Sequence, residues 1–266
     1  MTAEPTIQQL FDLRNKVAIV TGAAGWLGSA MSRALAEAGA TLVVTSRQAA
    51  QAEAFAATLP GDGHIGLAFD QGETSSIPKF VAEVIDRVGQ IDILVNNAYG
   101  GTAPTIDTAT AEDFDRAYHT GVTAYFLLAR AVADQLRTRQ APGSIINIAS
   151  MYGFVASYPD AYEGLPVNSP PNYHGLKGGI VHLTRHLAVY WAKDQIRVNS
   201  IAPGPFPTAK TQAANPEFIE RLKSKSPLGR MGRPDELKGM VVLLASDAGS
   251  YITGQNFLID GGWTAW

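Results

Sequence analysis

Cysteine is absent from all 266 residues, which removes disulfides, thiolate-bound zinc and a cysteine nucleophile together. No charge of one sign dominates. The 21 Lys and Arg stand against 24 Asp and Glu for a net charge of −3, so no positive field exists to hold a polyanion, and nucleic acid is not an expected partner. Long apolar runs are missing as well: no stretch approaches the ~18 residues of a membrane span. Met1-Thr2-Ala3-Glu4-Pro5 lacks the basic region and apolar run of an export signal, and a cytoplasmic protein without a membrane partner is the expectation. The five His show no paired ligand spacing, so no metal is expected. Nor does a Pro/Gly/Ser-rich linker, an internal repeat or a low-complexity tract divide the chain.

What is there is a hydrophobic fraction of 46%, enough for a folded interior, arranged in alternation. Val17-Ala18-Ile19-Val20, Thr41-Leu42-Val43-Val44, residues 64–69, Ile91-Asp92-Ile93-Leu94-Val95, Ser144-Ile145-Ile146-Asn147-Ile148 and Ile196-Arg197-Val198-Asn199-Ser200 read as strands. Helical period runs between them through 26–38, 49–58, 74–88, 110–139 and 173–193. Strands that are apolar throughout and separated by helices call for a parallel sheet covered on both faces. The expected architecture is α/β, a doubly wound parallel sheet of the Rossmann type, as a single domain over 1–266. Turn residues concentrate after the late strands, and stretches of about 151–172 and 203–226 are expected as substrate loops at the carboxyl edge.

The first strand runs into Thr21-Gly22-Ala23-Ala24-Gly25-Trp26-Leu27-Gly28, and Ser29-Ala30-Met31-Ser32-Arg33 continues at helical spacing. Strand, glycine turn and helix together suit a dinucleotide, because the backbone can approach a pyrophosphate whose charge the helix N-terminus stabilises. About twenty residues on, the second strand ends in Thr45-Ser46-Arg47, with no acidic residue to accept bonds from a ribose. Ser46 and Arg47 instead suit a 2′-phosphate, which favours NADP over NAD.

Tyr173-His174-Gly175-Leu176-Lys177 places a phenol and an ammonium four residues apart, on one face of a helix. A free phenol has a pKa near ~10, and a neighbouring cation lowers it towards a value useful for moving a hydroxyl proton. Leu176, Ile180, Leu183, Leu187 and Trp191 form the apolar stripe of that helix. Gly178-Gly179 in its interior costs about 1 kcal/mol per residue, which signals close approach by another backbone or a ligand. Ser150, just past the fifth strand, supplies a hydroxyl to orient a carbonyl.

These motifs, in this order, resemble the short-chain dehydrogenase/reductase family over roughly residues 12–263. Gly22, Gly25 and Gly28 follow TGxxGxxG, where the single-domain branch of that family has TGxxxGxG, and Trp26 takes the place of the middle glycine, either covering the phosphates or crowding them. The resemblance implies that Ser150, Tyr173 and Lys177 are the catalytic residues, with Lys177 also binding the nicotinamide ribose. It further implies cofactor contacts from Asp70, from Asn97 and Ala98, and from Pro203, Gly204, Phe206 and Thr208, with residues 209–226 as a mobile cover. Tyr99 replaces the glycine that usually follows Asn96-Asn97-Ala98, which implies a shifted loop. Gly121 stands where the family has an asparagine that holds a water for proton relay, and His119 is a candidate to compensate. The Ser150-to-Tyr173 interval is about ten residues longer than usual. The extra length forms a lid or pocket wall offering Asp160, Glu163 and Asn168 to sugar hydroxyls, or else a solvated surface loop.

Members of the family are usually tetramers, and the long helix at 110–139 and Trp263-Thr264-Ala265-Trp266 would suit such contacts. Leu10-Phe11-Asp12-Leu13 and the C-terminal Asp260-Gly261-Gly262-Trp263 resemble the sugar-acid and polyol dehydrogenases, of the gluconate 5-dehydrogenase type. The implied activity interconverts a secondary alcohol and a ketone with NADP or NAD. Two alternatives stand beside it: a dinucleotide-binding protein with impaired turnover, and an epimerase or dehydratase, for whose added substrate domain 266 residues leave little room.

Overall fold

Val17–Val20 and Ile93–Asn96 are buried along their whole length, the condition of strands covered by helices on both faces. The structure is a computed structural model describing residues 4–266, so Met1-Thr2-Ala3 of the N-terminal reading lies outside the described residues. The first half comprises α1 (Ile7–Leu10), β1 (Val17–Val20), α2 (Trp26–Glu37), β2 (Thr41–Ser46), α3 (Ala49–Ala56), β3 (Ile65–Ala68), α4 (Ile77–Val88), β4 (Ile93–Asn96), α5 (Ala111–Tyr118) and α6 (Ala124–Arg139). The second comprises β5 (Gly143–Ile148), α7 (Pro159–Tyr162), α8 (Pro171–Trp191), β6 (Ile196–Pro203), α9 (Ala209–Ala214), α10 (Pro216–Lys225), α11 (Lys238–Ala245) and β7 (Asn256–Ile259).

The strands pair in parallel in the order β3-β2-β1-β4-β5-β6-β7. The order reverses between β1 and β4, where Ala18 lies opposite Ile93 and Val20 opposite Val95. In such a sheet a crevice opens beyond the carboxyl ends at the reversal. Met31 and Leu35 of α2 with Val241 and Leu244 of α11 fill one face. Phe80 and Val84 of α4, Leu128 and Val132 of α6, and Leu187 and Trp191 of α8 fill the other. A buried polar ladder crosses from the sheet to α8: Asn96 Nδ2 donates to Asn147 Oδ1 at 2.9 Å, and Asn147 Nδ2 to Thr184 Oγ1 at 3.0 Å. It fixes the height of α8 against the sheet, because a slip would leave buried amides unpaired.

The helix expected over 110–139 is interrupted by a π-helical turn at His119–Thr123, a feature often found at functional sites. A seventh strand closes the sheet at its edge. The two late loops pack together rather than lying loose: Met151, Ala161, Ile219, Leu222 and Trp263 form a satellite core. Arg221 Nη1 donates to the Asp160 and Glu163 carbonyls at 3.1 and 2.6 Å, and Lys225 Nζ lies 2.5 Å from Asp160 Oδ2. Trp263 is 1% exposed, so of the tail aromatics only Trp266 is free for contacts with another subunit.

Asp92 anchors the opposite end of the sheet. Its carboxylate is buried, accepting from Val17 N and Gln90 Nε2, each at 2.8 Å, and pairing with Arg139 Nη2 at 3.1 Å. Asp92→Ala strands a strand N–H and a half-buried guanidinium together. An expected loss of about 2–4 kcal/mol, read as a lower urea midpoint at unchanged slope, checks this.

Candidate active site

Thr21 follows β1 and receives two backbone donors on its hydroxyl, Asn97 N at 2.9 Å and Ala98 N at 3.0 Å. Asn97 Nδ2 returns a bond to Thr21 O at 2.8 Å. The glycine turn is thereby drawn against the end of β4, and its glycines are required there. Gly22 has φ +61°, and a Cβ at Gly28 would sit 2.4 Å from Gly22 O and 2.8 Å from Asn97 Nδ2. Helix α2 then starts at Trp26, and its N-cap Gly25 offers no side-chain acceptor. Residues 25–28 line a cavity of about 1130 Å³, so the first N–H groups of α2 face it unsatisfied. A diphosphate fits this end by charge and by hydrogen-bonding capacity.

The cavity extends from Ser46, Arg47 and Gln51 past Phe69, Asp70 and Gln71, over the glycine turn, to Ser150, Tyr173 and Lys177, with Pro203, Gly204 and Phe206 opposite. Ser46 Oγ donates to Gln51 Oε1 at 2.6 Å, and Asp70 Oδ1 accepts from Gly72 N at 2.9 Å. Trp26 does not plug the space. Its indole Nε1 donates to Phe206 O at 2.9 Å, spanning the mouth between the glycine turn and the loop after β6. Thr208 is the exception among the expected contacts: it does not line the cavity, and its hydroxyl caps α9 by accepting from Thr211 N at 3.1 Å. Residues 209–226 fold as α9 and α10 and do not line the cavity either.

Tyr173 and Lys177 stand on one face of α8, with Lys177 Nζ 5.5 Å from the Tyr173 ring centroid. The amine is 3% exposed and donates to Ile148 O at 2.7 Å, at the last residue of β5. Ser150 follows two residues later. Tyr152 Oη lies 2.7 Å from Tyr162 Oη, and the Tyr152 ring stacks on His174 at 4.5 Å. His174 Nε2 in turn lies 2.8 Å from Ser169 Oγ. These contacts join the segments that carry Ser150 and Tyr173. The close approach expected at Gly178-Gly179 comes from Gly153 instead, where a Cβ would meet Lys177 O at 2.7 Å.

The electrostatics correct one expectation. Lys177 does not bring the phenol below its ordinary range: burial pushes Tyr173 up, and the Ser150 hydroxyl pulls it only partway back. Burial acts on the amine as well, drawing Lys177 down to about 7. Both groups therefore favour their neutral forms, as desolvation requires.

At Gly121 a Cβ would lie 2.8 Å from Leu176 Cδ1, so Leu176 fills the space of the missing asparagine side chain, and Lys177 reaches the Ile148 carbonyl directly. His119 is not a substitute relay: its Nε2 lies 2.7 Å from Gly72 O, and it does not line the cavity. Among the candidates of the long loop, the Asp160 carboxylate is taken by Lys225, and Asn168 Nδ2 donates to Ala103 O at 3.2 Å. Glu163 accepts from Arg221 through its carbonyl, and none of the three lines the cavity. Sequence reasoning missed Gln51, Gln71, Gly100, Gly101, Arg116 and Ile148, all of which do. Gln71 adjoins Asp70, Gly100 and Gly101 follow Tyr99, and Ile148 ends the strand before Ser150, so these were accessible from their neighbours; Gln51 and Arg116 carry no local signal.

A family model described as enoyl-(acyl carrier protein) reductase matches residues 22–264. The chain is 33% identical over 261 residues to 2-dehydro-3-deoxy-D-gluconate 5-dehydrogenase of Dickeya dadantii (strain 3937), covering 97% of this chain and 99% of that protein. It is 36% identical over 262 residues to the NADP-dependent mannitol dehydrogenase of Hypocrea jecorina, covering 96% and 94%. The crystal structure of a short-chain type dehydrogenase/reductase from Mycobacterium marinum superposes with a TM-score of 0.89 at 35% identity, covering 98% of this chain and 100% of that one.

Proposed function

This chain belongs to the short-chain dehydrogenase/reductase family and is an NAD(P)-dependent oxidoreductase, and from that premise we propose that it interconverts a secondary alcohol and a ketone on a sugar acid or polyol, with NADP preferred. The observation that carries the reading is the meeting of Ser150, Tyr173 and Lys177 at one end of a cavity that runs over the glycine turn to Ser46 and Arg47. A bound nicotinamide supplies the hydride acceptor or donor at the carbinol carbon. Ser150 Oγ holds the substrate oxygen, and Tyr173 Oη takes its proton in oxidation and returns it in reduction. Lys177 Nζ, held by Ile148 O, keeps N–H donors beside the phenol and would bind the ribose hydroxyls of a bound cofactor. Of the residues that line the cavity, Gly22, Gly25, Trp26, Leu27 and Gly28 would hold the diphosphate, Asp70 would border the adenine, Asn97 and Ala98 would line the cofactor, and Pro203, Gly204 and Phe206 would border the nicotinamide.

The NADP preference rests on Ser46 and Arg47 at the far end of the cavity. Arg47→Asp removes a charge-assisted bond to a 2′-phosphate and adds a repulsion. The ratio of kcat/KM with NADP to that with NAD is expected to fall by about 10–100-fold, measured with one alcohol under both cofactors. An unchanged ratio would exclude Arg47 as the 2′-phosphate partner. The substrate class draws on the two relatives, one acting on a sugar acid and one on a polyol, and a screen of polyols, sugar acids and simple ketones in both directions tests it. We also infer a cytoplasmic homotetramer. Phe114, Tyr118, Val189 and Tyr190 are exposed on α5 and α8, and Trp266 is exposed at the C-terminus, apolar surface of the kind that subunits cover. No helix among the described residues is long and apolar enough to cross a membrane.

A further inference from the structure

Tyr99 carries a large side chain over the reacting groups. It lines the cavity beside Ser150, Tyr173 and Lys177, and its ring meets that of Tyr173 edge-on with centroids 5.4 Å apart. Lys177 Nζ lies 5.7 Å from the Tyr99 centroid and 5.5 Å from that of Tyr173, so the amine is shared between two phenol rings.

The loop that bears Tyr99 is pinned on both sides. Ala98 O accepts from Gln71 Nε2 at 2.7 Å, and Gly100 O from Thr120 Oγ1 at 2.8 Å. Thr102 O accepts from Asn172 in the first turn of α8 at 3.4 Å, and Ala103 O from Asn168 of the long loop at 3.2 Å. The ring is also seated by its own neighbour. A Cβ at Gly101 would lie 2.1 Å from Tyr99 Oη, so the glycine there is what lets the phenol fold back over its loop. Burial pushes the Tyr99 phenol up to about 12, and it remains a neutral hydrogen-bonding group across the working pH range.

We propose that Tyr99 determines which alcohols enter the site: its ring is a fixed wall over the Tyr173–Lys177 pair that admits a slender polyhydroxylated chain and excludes a fused-ring secondary alcohol. The inference rests on the alcohol–ketone reading above and narrows its substrate class. A carbinol must bring its oxygen to Ser150 and Tyr173 while its two carbon substituents find room on either side. A held aromatic ring removes that room on one side. It leaves an apolar face for the C–H groups of a linear chain and a hydroxyl at its rim for the chain's own hydroxyls. A rigid ring system can neither bend round the wall nor displace a loop bonded at both ends.

The test compares D-threitol and D-mannitol with cholate, a fused-ring secondary alcohol, in wild type, Tyr99→Phe, Tyr99→Gly and Gly101→Ala. Tyr99→Gly is expected to lower the kcat/KM ratio of linear to fused-ring alcohol on the order of 100-fold, chiefly through KM for cholate. Tyr99→Phe keeps the wall and should hold the ratio within about threefold. Gly101→Ala leaves Tyr99 in the chain but displaces its hydroxyl, and should relax the ratio in the same direction. NADPH affinity, read without turnover from tryptophan fluorescence, should change little in each variant. Should Tyr99→Gly fail to fold, Tyr99→Leu carries the same contrast.

A ratio that does not move in either the Tyr99→Gly (or Leu) or the Gly101→Ala variant overturns the proposal. So does a wild type that prefers cholate, or a loss in the Tyr99 variants that tracks weakened NADPH binding equally for all alcohols. A wild type that binds NADPH yet oxidises neither class is a different failure: it removes the underlying alcohol–ketone reading, and the wall with it.

Discussion

Tyr173→Phe is expected to lower kcat/KM by about 10²–10⁴-fold in both directions while NADPH binding persists, because only the transferable proton is lost and the ring keeps its packing. The direction of the Tyr173 shift adds a pH signature. Burial holds the phenol above its ordinary range, and the Ser150 hydroxyl offsets this only in part. Reduction, which needs a protonated donor, should therefore stay flat through neutral pH. Oxidation needs the phenolate and should climb as pH rises into the alkaline range. Steady-state profiles in the two directions check this, and identical profiles would remove Tyr173 from the proton step. Survival of activity in the phenylalanine variant would do the same.

Lys177→Met is expected to separate activity from stability. Turnover should fall on the order of 10²–10³-fold, since the amine's N–H donors beside the phenol and their fixed geometry go together. The cofactor-free fold should nevertheless gain stability below neutral pH. The amine titrates near 10.5 in an unfolded chain and at about 7 in this fold, because burial disfavours its cation. Between those values the unfolded chain binds the proton and the native one does not, so native stability rises with pH across the window. Below about 7 both states are protonated, and burying the cation costs on the order of 5 kcal/mol. The loss of the 2.7 Å bond to Ile148 O returns about 1 kcal/mol of that when the amine is removed. The variant's Tm should accordingly exceed that of wild type by about 5 °C or more near pH 6, with a smaller difference near pH 9. A difference constant with pH would show that the amine is not desolvated.

The sheet was legible because β1 and β4 are apolar almost from end to end, which only a doubly covered parallel strand requires. Strand β7 escaped the pattern because its four residues are all half-buried at an edge, where no continuous apolar run is demanded. The π turn at His119–Thr123 left no mark, since one extra residue in a helix barely disturbs its period. Within the site, Tyr173 and Lys177 were legible as a pair because four-residue spacing on a helix is a local rule. What Lys177 bonds to, what covers Tyr173 and where Thr208 points are set by partners far along the chain or by a competing local cap. The sign of the Tyr173 shift was illegible for a related reason: spacing reveals a nearby cation but not the depth of burial that outweighs it.

The indole of Trp26 and the carbonyl of Phe206 form a bridge between parts of the chain 180 residues apart. A single neutral bond of this kind nets about 1 kcal/mol, less than one well-placed charge-assisted contact to an incoming anion. Such a bridge can hold the two banks at a set spacing while yielding readily to an entering ligand, so admission to the crevice calls for no unfolding of either bank.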